Sequence, residues 1–330
     1  MAKLKAQLEI TADELAEAIT ISEYPELAAA CEEYYSRQLD DLVEEIVAHR
    51  KIRAVFISGP TNSGKTTTTD RLKTELSKAG REARMISLDD YYVEGAVRYD
   101  EDGRPDYESV DTISLELLSE DLRLLMEGKA AWVPHFNFKE RKRIYEREQK
   151  LKLKDNELVL VEGLHALSPV IKDQLDPEIS FGIFLMPNVE LETRNGILGS
   201  ETTRKLRRIH RDNSSRDTRA LETIDFWPMV RSAEQIFIPR YIEAADVHIN
   251  TALPYEYAIL GPRVRELLAE DLAAYEARSL RPSPNVREGL FYANLEAAVE
   301  EARQLYDILG GLPSGDVRVV PNDSVLKEFI

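Results

Sequence analysis

Disulfide bonds are the first thing this chain does without. It contains one cysteine, Cys31, so neither an internal disulfide nor a thiolate metal site can be built from it. A reducing, cytoplasmic setting is expected, and Cys31 itself reads as a small buried apolar residue. Long hydrophobic runs are also missing, because no stretch approaches the roughly 18 apolar residues of a membrane span. The opening "MAKLKAQLEITADELAEAI" has neither the apolar core nor the small-residue cleavage site of a signal peptide. Histidine is scarce: His49, His135, His165, His210 and His248 show no metal-ligand spacing, and each reads as structural. Positive charge is in deficit as well. A net charge of −17 repels nucleic-acid backbones and anionic lipid. The expected partner is therefore a small molecule rather than nucleic acid or membrane, with a local basic pocket for an anion still allowed; a homo-oligomer is left open. Internal repeats and low-complexity tracts are absent.

What is present suffices for a large core. The chain has 330 residues, 43% of them hydrophobic, enough for one big domain with additions or for two domains. Thr11 followed by Glu14 reads as a capping box opening a helix. A second helix is expected over "PELAAACEEYYSRQLDDLVEEIVAHR", where Leu39, Leu42, Val43 and Ile46 recur at three and four. Residues 1–50 thus read as a helical N-terminal extension. At Arg53 the period changes. "RAVFIS" is a buried parallel strand by pattern, followed by a helix to Lys78 that Gly80 stops. "ARMISL", "ELVLVEG", "ISFGIFL" and "ADVHIN" read as further strands, the middle two each followed by a helical stretch, and "LELLSEDLRLLMEG" as an amphipathic helix. Alternating strands and helices predict a parallel sheet covered on both faces. After Gly261 two helical stretches are expected, split by "RPSPN", and then an irregular tail that packs back on the core. The divisions predicted are 1–50, a core over 51–265, and a helical addition with tail over 266–330.

The stretch from Gly59 to Thr66, "GPTNSGKT", fits G-x-x-x-x-G-K-[ST] without a mismatch, with a strand before it and a helix after it. Backbone N–H groups from Gly59 through Thr61, Asn62, Ser63 and Gly64 to Lys65 can curl around phosphate oxygens, and the following helix adds its positive end. Lys65 reaches the terminal phosphates, Thr66 offers a hydroxyl to Mg²⁺, and Thr67 stands near a phosphate closer to the base. A nucleoside triphosphate is therefore the expected ligand, although the loop alone does not separate a kinase from a GTPase or a motor.

Ligands in an open parallel sheet sit at the carboxyl ends of the strands. Asp89 and Asp90 end one strand and Glu162 ends another. Either aspartate suits a base beside an acceptor hydroxyl, or a turn cap; Glu162 suits a metal shell. "TTRKLRRIHRDNSSRDTR" concentrates Arg204, Lys205, Arg207, Arg208, Arg211, Arg216 and Arg219 in an acidic protein. It reads as a lid over the nucleotide rather than a solvated helix face. Its "HRD" imitates a protein-kinase motif, but Asp217 stands where that motif requires Asn, and the D-F-G element is absent. "KERKR" (139–143) fits either a charged loop or the acceptor pocket.

Taken in order, "GPTNSGKTTTT", "SLDDYY", "VPHFNF", "LVEGLHALSP", "RKLRRIHRD" and "ALETIDFWPMVRSAEQIFIPRYIEAADVHINTALPYE" resemble the uridine kinase branch of the phosphoribulokinase/uridine kinase family over about residues 52–265. The tail "NDSVLKEFI" resembles the ending of a longer bacterial group within it. The resemblance implies an α/β P-loop NTPase fold of the nucleoside monophosphate kinase-like kind, a central parallel sheet flanked by helices, here with helical N- and C-terminal additions. It also implies ATP- and Mg²⁺-dependent phosphorylation of a small-molecule hydroxyl, typically the 5′-OH of a pyrimidine nucleoside. By the same resemblance Asp89 is the base, Tyr92 closes its motif, and Glu162 joins Thr66 at the metal. Arg208, Arg211 and Arg216 face the phosphates, Arg211 acting with Lys65 and Asp89 in catalysis. At the acceptor the chain departs from the family. Glu108 stands for an Asp that grips ribose hydroxyls, and Phe136 and Arg141 stand for a Tyr and a His beside the pyrimidine. The R-G-R of the lid reads Arg216-Asp217-Thr218. These changes leave the phosphoryl chemistry intact and bear on the acceptor, so another polyol or an anionic metabolite is the alternative. An alternative of another class is a nucleotide-binding regulator that does not need Asp89.

Overall fold

The computed structural model describes residues 7–95, 97–146 and 150–330. The first six residues of the N-terminal extension lie outside it. Strand β1 (Leu8–Thr11) leads into helices α1 (Ala12–Thr20) and α2 (Tyr24–Ala48). Strand β2 (Ala54–Ser58), helix α3 (Lys65–Lys78) and strand β3 (Ala83–Ser87) follow, then a 3-10 turn over Leu88–Tyr91. Next come helix α4 (Leu115–Met126) and the short strands β4 (Ala131–Trp132), β5 (His135–Asn137), β6 (Lys142–Ile144) and β7 (Lys150–Leu151). Strand β8 (Leu158–Glu162), helix α5 (Pro169–Lys172), and strands β9 (Ser180–Met186), β10 (Val189–Thr193) and β11 (Gly196–Leu198) continue the chain. Helices α6 (Ser200–Arg216) and α7 (Ala220–Ala244), strand β12 (Val247–Asn250), and helices α8 (Tyr257–Glu276) and α9 (Leu295–Leu309) complete it, before a tail with 3-10 turns at Val317–Val319 and Val325–Glu328.

The central sheet has the order β12-β9-β2-β8-β3, and every pairing in it is parallel. Its strands alternate faces as the two-residue period demands. Val55 and Ile57 of β2 join one buried cluster with Leu158, Leu160, Ile183 and Leu185. Ala54 and Phe56 join a second cluster on the other face with Val159, Val161, Phe184 and the helix α4 leucines. The first cluster also takes in Tyr35, Leu39 and Ile46 of α2, Ala302 and Leu305 of α9, and Phe329 of the tail. The N-terminal extension and the C-terminal addition therefore share one hydrophobic core with the sheet.

Four expectations are corrected. The N-terminal extension is not wholly helical: β1 pairs in parallel with β10, which pairs with β11, in a separate three-stranded sheet. No helix directly follows β9; "VELET" is strand β10, and its alternating burial is the two-residue pattern of a strand with one covered face. After β8 the helical stretch shrinks to the four residues of α5. The first helix expected after Gly261 begins before it, since α8 runs through both Gly261 and Pro262 and across the division expected at 265. A Cβ at Gly261 would lie 2.4 Å from Leu312 Cδ1, so close packing is what its size serves. Pro262 has no N–H for the carbonyl of Ala258 four residues back. The Gly315 N–H donates to that carbonyl instead, at 2.8 Å, and the proline is accommodated.

Candidate active site

The carboxyl edge of the central sheet carries the chemistry. Between β2 and α3 the chain curls through Asn62 (φ 61°) and Gly64 (φ 82°), both in the left-handed region. Gly64 is needed twice over, because a Cβ there would also lie 2.2 Å from Val325 Cγ2. Asn62 Nδ2 and Ser63 Oγ are buried in the loop without a protein partner. Lys65 folds back and donates to the carbonyls of Gly59 and Pro60, at 3.0 Å each. Thr66 is exposed on the first turn of α3. The Thr67 hydroxyl and N–H donate to the Glu328 carboxylate of the tail, at 2.9 and 3.4 Å.

Side chains from two other helices fix the loop from behind. Glu234 of α7 accepts the Thr61 N–H at 3.1 Å and pairs with Arg204 of α6 at 2.8 Å. Arg204 also donates to the Thr61 carbonyl, and Arg207 to that of Asn62. Arg207 is wholly buried against Glu256. Two of the seven basic residues of the arginine-rich segment, Arg204 and Arg207, thus hold the loop's main chain rather than face a ligand.

Three acids converge near Lys65. Register aligns Ser87 of β3 and Ile57 of β2 with Glu162 of β8, which sets this carboxylate beside the loop. Ser87 donates to it at 2.5 Å. Burial, with help from the Asp89 charge, pushes the Glu162 carboxyl up to about 6, against the Ser87 hydrogen bond and Lys65. Asp89 is open to solvent in the 3-10 turn that follows β3. Its carboxyl is raised by the surrounding protein and by Asp90, and lowered by Lys65 and Arg216. Glu108 is raised by burial and lowered by Arg208. Asp90 has other employment: it accepts from His135 Nδ1 at 2.9 Å and from the Phe136 N–H at 3.1 Å, tying β5 in place.

Beyond Asp89 lies a cluster of aromatic rings. The Tyr92 ring meets Phe136 and Phe138, each at 5.6 Å, and Tyr107 at 6.5 Å. The Arg141 guanidinium lies over the Tyr107 and Phe136 rings, at 5.9 and 5.8 Å, while its Nε donates to the Gly95 carbonyl. His165 bridges Tyr241 and the Glu108 carbonyl, and burial lowers its pKa to about 4, so the imidazole is neutral at pH 7.

A model of the Phosphoribulokinase / Uridine kinase family matches residues 54–255. The chain belongs to the phosphoribulokinase/uridine kinase family. It is accordingly an ATP-dependent small-molecule kinase with the P-loop fold. No curated protein matches it. Among solved structures it is similar to one described as a possible uridine kinase from Bacillus stearothermophilus, at 20% identity and a TM-score of 0.43, over 65% of this chain and 98% of that one. It is also similar to D-glycerate 3-kinase from Cryptococcus neoformans var. grubii, at 16% identity and a TM-score of 0.38, over 63% of this chain and 86% of that one.

Within this family member the residues singled out in the sequence fall into three groups. Gly59, Thr61, Asn62, Ser63, Gly64, Lys65, Thr66 and Thr67 form the loop, with Glu162 and Asp89 at the neighbouring strand ends. Tyr92, Phe136 and Arg141 share the aromatic cluster, and Glu108 lies within electrostatic reach of Tyr92. Arg208, Arg211 and Arg216 gather on one carboxylate, that of Asp212, at 3.2, 2.8 and 3.3 Å. From there Arg216 acts on Asp89 and Arg208 on Glu108, whereas Arg211 is held by Asp212 through Nε and Nη2. Sequence reasoning missed Asp212, Glu234, His165 and Glu328. Asp212 sits inside the basic segment and could have been noticed as its counter-charge. The other three meet the site only through contacts distant in sequence.

Proposed function

We propose that this kinase transfers the terminal phosphoryl group of ATP to the 5′-hydroxyl of a pyrimidine nucleoside, uridine or cytidine. The observation that supports the reading is the cluster of Tyr92, Phe136, Phe138 and Arg141, with Asp89 and Glu108 within electrostatic reach of Tyr92. Flat rings suit a stacked base, a guanidinium suits a carbonyl oxygen, and the Glu108 carboxylate suits sugar hydroxyls. In this reading the acceptor oxygen bonds to the γ-phosphorus as the bridge to the β-phosphate breaks. The hydroxyl proton passes to Asp89, and ADP leaves. A raised carboxyl pKa makes Asp89 a better proton acceptor near neutrality. Lys65, with Arg208, Arg211 and Arg216, balances charge on the moving group. Thr66 and Glu162 offer the hard oxygen donors that suit Mg²⁺. When bound, that ion supplies neutralisation of phosphate charge. Residues 51–265 would form the kinase proper, with 1–50 and 266–330 as additions.

A second reading rests on Arg141. A permanent cation, half-buried over two rings, would serve a carboxylate or phosphate equally well, which favours an anionic metabolite or another polyol. The test is incubation with ATP·Mg²⁺ and a panel of nucleosides, sugars and polyols, scoring ADP release and product mass. Product from uridine or cytidine alone supports the first reading. Product from a non-nucleoside acceptor, with both nucleosides inert, replaces it by the second. An Asp89→Asn variant separates catalysis from a regulatory role: turnover should fall about 10²- to 10⁴-fold while ATP binding, followed by calorimetry, persists.

A further inference from the structure

The tail reaches across the molecule to the phosphate loop. Val325, Leu326 and Phe329 are fully buried in the core. Phe329 lies under the Arg207 guanidinium at 5.0 Å, and its carbonyl meets His210 Nδ1 at 2.7 Å. Val325 fills the space left by the absent side chain of Gly64. The tail backbone is thereby locked against the loop, and the half-exposed Glu328 side chain is set on Thr67.

Thr67 is the third residue of α3. Its N–H is one of the unpaired donors at a helix start, and it attracts an anion for the same reasons that the loop attracts phosphate. One N–H pointing at one acceptor cannot serve two anions at full strength. The Glu328 carboxylate and a nucleotide phosphate laid along residues 59–67 therefore contend for the same donor, and they repel each other as like charges. We infer that Glu328 is an internal competitor at the donor site, a carboxylate that must swing off Thr67 before ATP seats fully. This rests on the assignment of residues 59–67 to the triphosphate. The buried anchors mean that only the side chain need move, so the closed arrangement lowers apparent affinity by the fraction of time it persists.

The experiment compares full-length wild type with Glu328→Gln and Glu328→Ala, measuring Kd for ATP·Mg²⁺ and ADP·Mg²⁺ by calorimetry and the KM for ATP. Competition predicts that both nucleotides bind about 10-fold tighter to Glu328→Ala, the factor for a carboxylate resting on Thr67 in about nine molecules of ten. Glu328→Gln, which keeps the shape and loses the charge, should move the same way by a smaller factor, and KM should fall with Kd. Thermal unfolding midpoints report whether each variant is intact. Unchanged or weaker nucleotide binding by an intact variant overturns the competitor and makes Glu328 a cap or a nucleotide contact. A Lys65→Ala variant tests the foundation separately. If it binds ATP as wild type does, the assignment of the loop falls and the competitor with it. If it loses ATP while the Glu328 variants bind no tighter, the competitor alone is wrong.

Discussion

Glu162 shows how one carboxyl ties stability to chemistry. Burial raises its pKa to about 6, above the unfolded value of 4.5. The folded state therefore favours the protonated acid. That preference is complete below pH 4.5 and is lost as pH rises through 6, where a charge must be buried. Glu162→Gln keeps the acceptor for Ser87 without the charge. It should add about 2 kcal/mol at pH 8 and nothing at pH 4, read by denaturant unfolding, while phosphoryl transfer at pH 8 collapses. Much at this scale was legible in the sequence, because the P-loop spacing assigns each residue a place on a strand, a turn or a helix. That Asp90 is engaged while Asp89 is exposed was not legible from spacing alone. It depends on His135 and Phe136, 45 and 46 residues further on, which occupy Asp90.

Helix α6 divides its arginines between two tasks. Arg204 is buried in a bidentate pair with Glu234 and holds Thr61. Arg216 is exposed and shares Asp212 with two other arginines. Arg204→Ala strands a buried acid and should cost about 3–5 kcal/mol in urea unfolding. Arg216→Ala should leave stability within about 0.5 kcal/mol and lower kcat instead. The sequence announces the concentration of positive charge but not this division. Neighbours in one helix meet different partners, and those partners come from α7, from α6 itself and from the segment after β12. The strand pattern was more readable. The apolar runs ending at Ser58, Glu162 and Asn250 are strands as expected, because burial on both faces leaves a run that no turn interrupts. β1 and β10 escaped notice because each is short and has meaning only once the other lies beside it.

At the scale of the whole molecule, the N-terminal extension and the tail share the core on one face of the central sheet with the kinase segment. Phe329 is fully buried, although it lies in a stretch whose sequence promises no regular structure. Phe329→Ala should cost about 3–5 kcal/mol in urea unfolding, as much as a core residue of the central sheet. The tail was legible as something that folds back, but not as a neighbour of the phosphate loop, since nothing local encodes a contact between Thr67 and Glu328 across 261 residues. That separation has a temporal side. At about 5–20 residues per second, a ribosome that has made the glycine-lysine turn needs roughly 13–50 seconds more to make the segment that packs against it. Through that interval the nascent loop has neither Val325 beneath Gly64 nor an acid on Thr67.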